Sequence, residues 1–157
     1  MLARSPIQRT RGGDYRLRLS DGERALLRRL PAELIALLAA DPDDPALRRL
    51  RPSAYEEDSE AEDEYRRLME GELAAGRREA LRLLAETADR DRLTAEELDA
   101  WLRALTDLRL ALGTRLDVTE EVYERAIDPH DPEAYELSVF AYLSWLQEQA
   151  VEAAMKG

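Results

Sequence analysis

Residues 94–113 read TAEELDAWLRALTDLRLALG, and this stretch decides the fold class. Thr94 with Glu97 three residues on is a capping box, in which each side chain serves the other residue's backbone N–H at a helix start. Leu98, Trp101, Leu102, Leu105, Leu108 and Leu112 then recur every three or four residues, so one helix face is apolar and must be covered. Gly113 stands where a left-handed helix cap is expected, with Thr114 to Val118 extended beyond it. Such a helix needs other helices against it, and the chain supplies them on both sides.

Toward the C-terminus the pattern predicts a short helix from Thr119 to Ala126. A rigid turn follows at Asp128-Pro129-His130-Asp131-Pro132, where Asp131 caps and Pro132 takes the first helical position. The last helix carries Tyr135, Val139, Tyr142, Leu143, Leu146 and Ala150 on one stripe, widened by Phe140 and Trp145. Toward the N-terminus, Ser59 and Glu62 open a helix reaching about Thr87, with Tyr65, Leu68, Met69, Leu73, Ala80, Leu81, Leu84 and Ala88 on one side. Gly71 and Gly76 each cost that helix about 1 kcal/mol relative to Ala, unless they mark the close approach of another element. Ahead of them lies an acidic run, seven acids in residues 56–64, of the kind that stays solvated and suits a helix N-terminus.

Ser20 and Glu23 form another capping box before the apolar run from Leu26 to Leu38. Pro31 interrupts that run and is expected to divide it into two short helices or to kink it. A brief helical piece is expected at Ala46 to Leu50. Ile7 to Thr10 and Tyr15 to Leu19 alternate in character around Arg11-Gly12-Gly13-Asp14, which reads as a β-hairpin. Two strands alone are marginal in water, so the apolar side of the hairpin must rest on helices. The expected fold is mainly α, a helical bundle with a short N-terminal β-hairpin packed against it. It is read as one domain over residues 1–157: hairpin 1–19, short helices 20–50, acidic linker 51–64 and helical body 59–157.

The composition removes several functions. The 157 residues include no cysteine and one histidine, which excludes disulfides, Cys-based zinc or iron–sulfur sites and thiol catalysis within this chain. No stretch has the length and apolarity of a membrane span or a leader, so a cytoplasmic location is expected. The net charge of -11 disfavours nonspecific binding to nucleic acid or anionic lipid. That charge is uneven: residues 1–51 hold 11 arginines and 7 acids, net +4, whereas the rest holds 12 bases and 27 acids, net -15. Arg9, Arg16 and Arg18 concentrate the positive part in the hairpin. They offer a contact for phosphate or an acidic protein surface, although the simpler expectation is that this arm lies on the acidic body of its own chain.

No phosphate loop, dinucleotide fingerprint, nucleophile elbow or EF-hand loop occurs. Pairs such as Glu120 with Glu121, or Glu57, Glu60 and Glu64, are read as solvated or capping acids, since 34 acids produce such spacings by number alone. No cofactor is expected, and His130 reads as a surface turn residue. Arg109 lies among Leu108, Leu110 and Leu112, so Asp107, Arg109 and Arg115 form a candidate structural ion-pair group. Trp101, Trp145, Phe140 and Tyr142 read as core, but an exposed remainder of Trp145 would mark a partner surface.

The stretch from Leu105 to Val118 resembles the actinobacterial domain-of-unknown-function family that includes the oxidative-stress regulator AosR. Arg51-Pro52-Ser53-Ala54-Tyr55, Glu64-Tyr65-Arg66-Arg67-Leu68 and Tyr142-Leu143-Ser144-Trp145-Leu146-Gln147-Glu148 carry the same resemblance. The resemblance implies a regulator rather than an enzyme, with a partner in transcription or in Clp-dependent proteolysis, whose adaptor gene often neighbours the family. It also implies sensing by a pair of N-terminal cysteines, from which this chain departs: Ser5, Pro6, Ile7, Gln8 and Arg9 include no thiol. The leading expectation is therefore a protein-interaction module using Arg9, Arg16, Arg18 and Trp145, with self-association left open. The alternatives are a DNA-binding regulator with the hairpin as a wing, and an enzyme built on clustered carboxylates.

Overall fold

The computed structural model describes residues 5–41, 43–50, 60–116 and 128–156, the side chains of residues 60–63, 66 and 70 excepted. Strands β1 (Ile7–Arg9) and β2 (Tyr15–Leu17) form the expected hairpin, turning where Gly13 takes φ of 91°, a left-handed conformation that glycine adopts without strain. They are followed by α1 (Asp21–Ala40), a 3-10 helix (Pro45–Leu50), α2 (Glu60–Thr87), a two-residue strand β3 (Arg92–Leu93), α3 (Ala95–Leu116) and α4 (Ala134–Met155). The molecule is mainly α with a short hairpin. The expected helix at 119–126, residues 51–59 of the acidic linker and the Ser59 cap lie outside the described residues; residues 60–64, placed in that linker by the sequence, begin α2 instead, their acids standing at its N-terminus.

α3 is the centre. Trp101, Ala104 and Leu105 are fully buried, and α2, α4 and the 3-10 helix pack around them. Thr94 and Glu97 make the predicted box: the Thr94 N–H donates to Glu97 Oε1 at 2.8 Å, and the Glu97 N–H to Thr94 Oγ1 at 3.1 Å. Burying the Trp101 indole requires a partner for its N–H. Thr87, at the end of α2, accepts it at 2.7 Å and its own hydroxyl donates to the Leu83 carbonyl at 2.6 Å. One cluster of buried side chains joins Ile7 and Leu17 of the hairpin to Leu27, Leu84, Trp101 and Leu146 of the helices.

Four local expectations differ from the structure. Pro31 does not divide α1, which runs unbroken through it. Its ring is buried on the stripe formed by Leu27 and Leu34, so packing offsets the lost hydrogen bond. Gly113 is not a cap, and residues 114–116 are not extended; α3 passes through Gly113, which is buried, and ends at Leu116. Pro132 does not open α4, because the turn continues to Glu133, whose N–H is held by Asp131 Oδ1 at 2.8 Å. Finally, only the second half of the α2 stripe is covered: Ala80, Leu81 and Leu84 are buried, but Tyr65 and Leu68 are each 65% exposed and Leu73 52%. Among the described residues Gly71 and Gly76 approach no other element, since a Cβ added at either meets no atom within 4 Å.

β3 was not expected, and it completes a three-stranded antiparallel sheet in the order β1-β2-β3. Arg24 sets it in place. Its side chain, 12% exposed, donates to the carbonyls of Leu19 (3.2 Å), Ala88 (3.0 Å) and Arg90 (2.6 Å) and pairs with Asp91 at 3.5 Å. The start of α1 is thereby bound to the chain leaving α2, which brings the Asp91 carbonyl to the Leu17 N–H at 2.8 Å.

Candidate interaction surface

The sheet register fixes where the hairpin arginines go. Arg9 stands opposite Tyr15, Gln8 opposite Arg16, and Arg16 in turn opposite Arg92. The last pair puts two like charges face to face, an arrangement that weakens a sheet unless something anionic covers it. Arg18 lies on the same side as Arg16 and donates to Gln8 Oε1 at 2.8 Å. Among the described residues, none of Arg9, Arg11, Arg16, Arg18 and Arg92 makes an ion pair. The hairpin does rest on the helical body, through α4, but among the described residues no carboxylate of that body pairs with these arginines.

A cleft of about 780 Å³ runs between β1 and the last turn of α4. Arg9, Arg11, Arg18 and Lys156 line it, with Glu152 the carboxylate among its walls. Arg9 reaches across to the Lys156 carbonyl at 3.3 Å, and Ser5 Oγ donates to Gln149 Oε1 at 3.4 Å. Trp145 is 42% exposed, its ring 5.9 Å from that of Tyr142. It stands four, seven and eleven residues before Gln149, Glu152 and Lys156, spacings that share one helix face. Arg9, Arg11 and Arg18 therefore line the cleft, beside the α4 face that also carries Trp145, whereas Arg16 and Arg92 share the other face of the sheet with Gln8.

Tyr142 binds in the other direction. Its hydroxyl donates to Glu23 Oε2 at 2.7 Å, and burial, with the Glu23 carboxylate beside it, holds the phenol well above its usual ionisation range. Tyr135, expected in the core stripe, is exposed and accepts from Arg29 at 2.9 Å.

Asp107, Arg109 and Arg115 do not come together. Residues two apart on a helix point to different sides, so Asp107 and Arg109 cannot face each other. Asp107 instead pairs with Arg77 of α2 at 3.2 Å, and Arg77 also donates to the Leu50 carbonyl at 3.0 Å. Burial pushes the Asp107 carboxyl above its ordinary 3.8, and the Arg77 guanidinium offsets part of that rise. Arg109 uses no carboxylate: it donates to Ser144 Oγ at 3.0 Å and to Gln147 Oε1, and lies 5.8 Å from the centre of the Phe140 ring. Arg115 pairs with Glu136 at 3.4 Å. These are three separate ties from α3 to its neighbours, not one site.

His130 is exposed in its turn, with its N–H bound to Asp128 Oδ1 at 2.9 Å. Among the described residues, no group of three or more His, Asp or Glu side chains is placed to hold a metal ion, and no helix is long and apolar enough to cross a membrane. Arg92 and Lys156 join the basic surface without any signal in the sequence that places them there. Arg11 is legible as part of the basic N-terminal arm, whereas Arg92 joins only through a two-residue strand with no periodic signal of its own.

A family model described as a domain of unknown function, DUF2017, matches residues 4–154. The proteins named oxidative stress regulator AosR in Mycobacterium bovis and in Mycobacterium tuberculosis are each 31% identical to the chain over 183 residues, covering 92% of it and 84% of the relative. No solved structure matches it. The family match spans the hairpin, the basic surface and α4 up to residue 154, so the chain belongs to the DUF2017 family.

Proposed function

We propose that this protein is a non-enzymatic, cytoplasmic regulator that works by docking a protein partner on its basic sheet. The observation that carries the reading is that, among the described residues, Arg9, Arg11, Arg16, Arg18 and Arg92, in or beside the sheet, make no ion pair, on a chain whose net charge is -11. The chain has a surplus of acids, yet Arg9 and Arg18 spend their hydrogen bonds on neutral groups, the Lys156 carbonyl and Gln8, and Arg11, Arg16 and Arg92 are exposed. The relatives' name as regulators supports the same reading, as does Trp145, since exposed Trp and Arg are the residues that most often dominate protein interfaces. The partner is a component of transcription or of Clp-dependent proteolysis. With no cysteine in the chain, any regulation it exerts is not thiol-based.

The test is affinity capture from the native host with wild type and with Arg16→Glu/Arg18→Glu/Arg92→Glu, followed by titration of the captured protein in purified form. Wild type should retain a partner that the triple variant loses, with affinity falling as salt rises. Identical capture by both would overturn the reading. Binding of duplex DNA at low salt, lost in the triple variant, would favour a DNA-binding regulator instead.

A further inference from the structure

β1 is an edge strand, and its unpaired side has a direction that the ladder reveals. The Arg18 N–H donates to the Pro6 carbonyl at 2.8 Å and the Thr10 N–H to the Asp14 carbonyl at 2.7 Å. In an antiparallel pair such bonds alternate, so Pro6, Gln8 and Thr10 face β2 while the main-chain groups of Ile7 and Arg9 face away from it. Ser5 Oγ already occupies the Ile7 carbonyl at 2.8 Å. Arg9 then presents both its N–H and its C=O outward.

The cleft beside β1 is lined by Ile7, Gln8, Arg9, Thr10 and Arg11 in unbroken succession. A cavity over one face of a strand would touch alternate residues, because side chains alternate with period two. Contact with every residue means that the cavity lies against the edge. Its volume of about 780 Å³ is within the range of ligand pockets, roughly 300–1,000 Å³. Arginines on an edge strand ordinarily deter indiscriminate pairing; toward a negatively charged strand the same residues attract.

We propose that the cleft takes an extended acidic segment of a protein partner, which adds to the sheet as a strand beside β1. Its main chain pairs with Arg9, its carboxylates meet Arg9, Arg11 and Arg18, and its end toward Ser5 leads to Trp145. Strand addition of this kind draws affinity from main-chain bonds and selectivity from the side chains beside them. The proposal rests on the docking reading above and gives it a mode and a chemistry.

The probe is a capped hexapeptide of alternating glutamate and valine, titrated into the full chain and followed by amide NMR. The expected result is a saturable shift of the Arg9 N–H, with slowed exchange of that proton. The same peptide N-methylated at alternate residues, which keeps its charge but cannot pair, should bind at least ten-fold more weakly to the wild-type protein. Arg9→Glu/Arg11→Glu should weaken the unmodified peptide by a similar factor. Equal binding of both peptides would overturn strand addition while leaving acidic docking intact. So would inorganic phosphate matching the peptide's effect, or no peptide binding by a protein that still captures its partner through Arg16, Arg18 and Arg92. If capture fails but the paired peptide binds as described, the docking reading falls and the edge site stands.

Discussion

Arg90 and Arg92 are two residues apart and meet opposite fates. Arg90 pairs with Glu97 at 2.6 Å, as Arg24, Arg28, Arg77, Arg82 and Arg115 of the helical body pair with Asp91, Asp89, Asp107, Glu79 and Glu136. Arg92 faces Arg16 across two strands, and among the described residues Arg9, Arg11 and Arg18 nearby pair with no carboxylate either. Most of these body pairs tie one element to another, although exposed Arg48, Arg49, Arg78 and Arg103 make no ion pair among the described residues; what sets the sheet apart is that two of its arginines face each other, which costs the fold a little. The position of an arginine, beside an acid, beside another arginine or alone on a helix surface, tells more about its role than the number of charges does.

The contrast is broken most severely from the body side. Trp101→Ala should cost about 3–5 kcal/mol in chemical denaturation, because it empties the middle of the core. Thr87→Val, which strands the indole N–H, should cost about 1–3 kcal/mol. Arg77→Met removes the partner of a carboxylate that is only 16% exposed. It should cost about 2–3 kcal/mol, less than the 3–5 of a fully buried pair, since Arg77 and Asp107 both keep some water contact. A loss as small as that of a surface pair, under about 1 kcal/mol, would remove the distinction between the two regions.

The pH dependence sharpens the same point. Asp107 binds its proton more tightly in the folded chain than in the unfolded one, so its contribution to stability is greatest below 3.8 and is lost as pH rises through its elevated value. Against Asp107→Asn, which cannot titrate, wild type should lose relative stability as pH rises across that window. Denaturation curves at a series of pH values would show it, and parallel profiles would refute it.

Two substitutions should stabilise. Gly71→Ala and Gly76→Ala should each add about 0.5–1 kcal/mol, since both glycines sit inside α2 with open space around them. The smallest effect belongs to the sheet: Arg92→Glu should raise stability by about 0.2–1 kcal/mol, by placing opposite charges across β2 and β3. The same change should weaken partner capture. A variant that gains stability and loses binding would show that the arginine row is kept at the expense of the fold, whereas one that loses stability would mean that Arg92 has a structural role.

Much of the architecture could be read locally. Capping boxes at Ser20 and Thr94 and the stripe from Leu98 to Leu112 concern residues within a few positions of each other, and local geometry decides them. Pro31 and Gly113 were misjudged for the opposite reason. Each carries a strong local preference for ending a helix, and each is buried where neighbouring elements hold the helix together. The candidate site was half legible: Arg9, Arg16, Arg18 and Trp145 stood out by charge and residue type, whereas the split of Asp107 from Arg109 followed from helix geometry and could have been drawn.

By itself, the sequence determined that the chain is acidic and mostly helical, that it lacks thiols, and that its N-terminal part is relatively basic, because these follow from composition and short-range periodicity. Only the tertiary structure decided which charges are spent on the fold. Whether an arginine meets an acid, another arginine or open space depends on contacts between residues far apart in the chain. β3 reaches Tyr15 and Arg16 across more than seventy residues, and no periodicity records that distance.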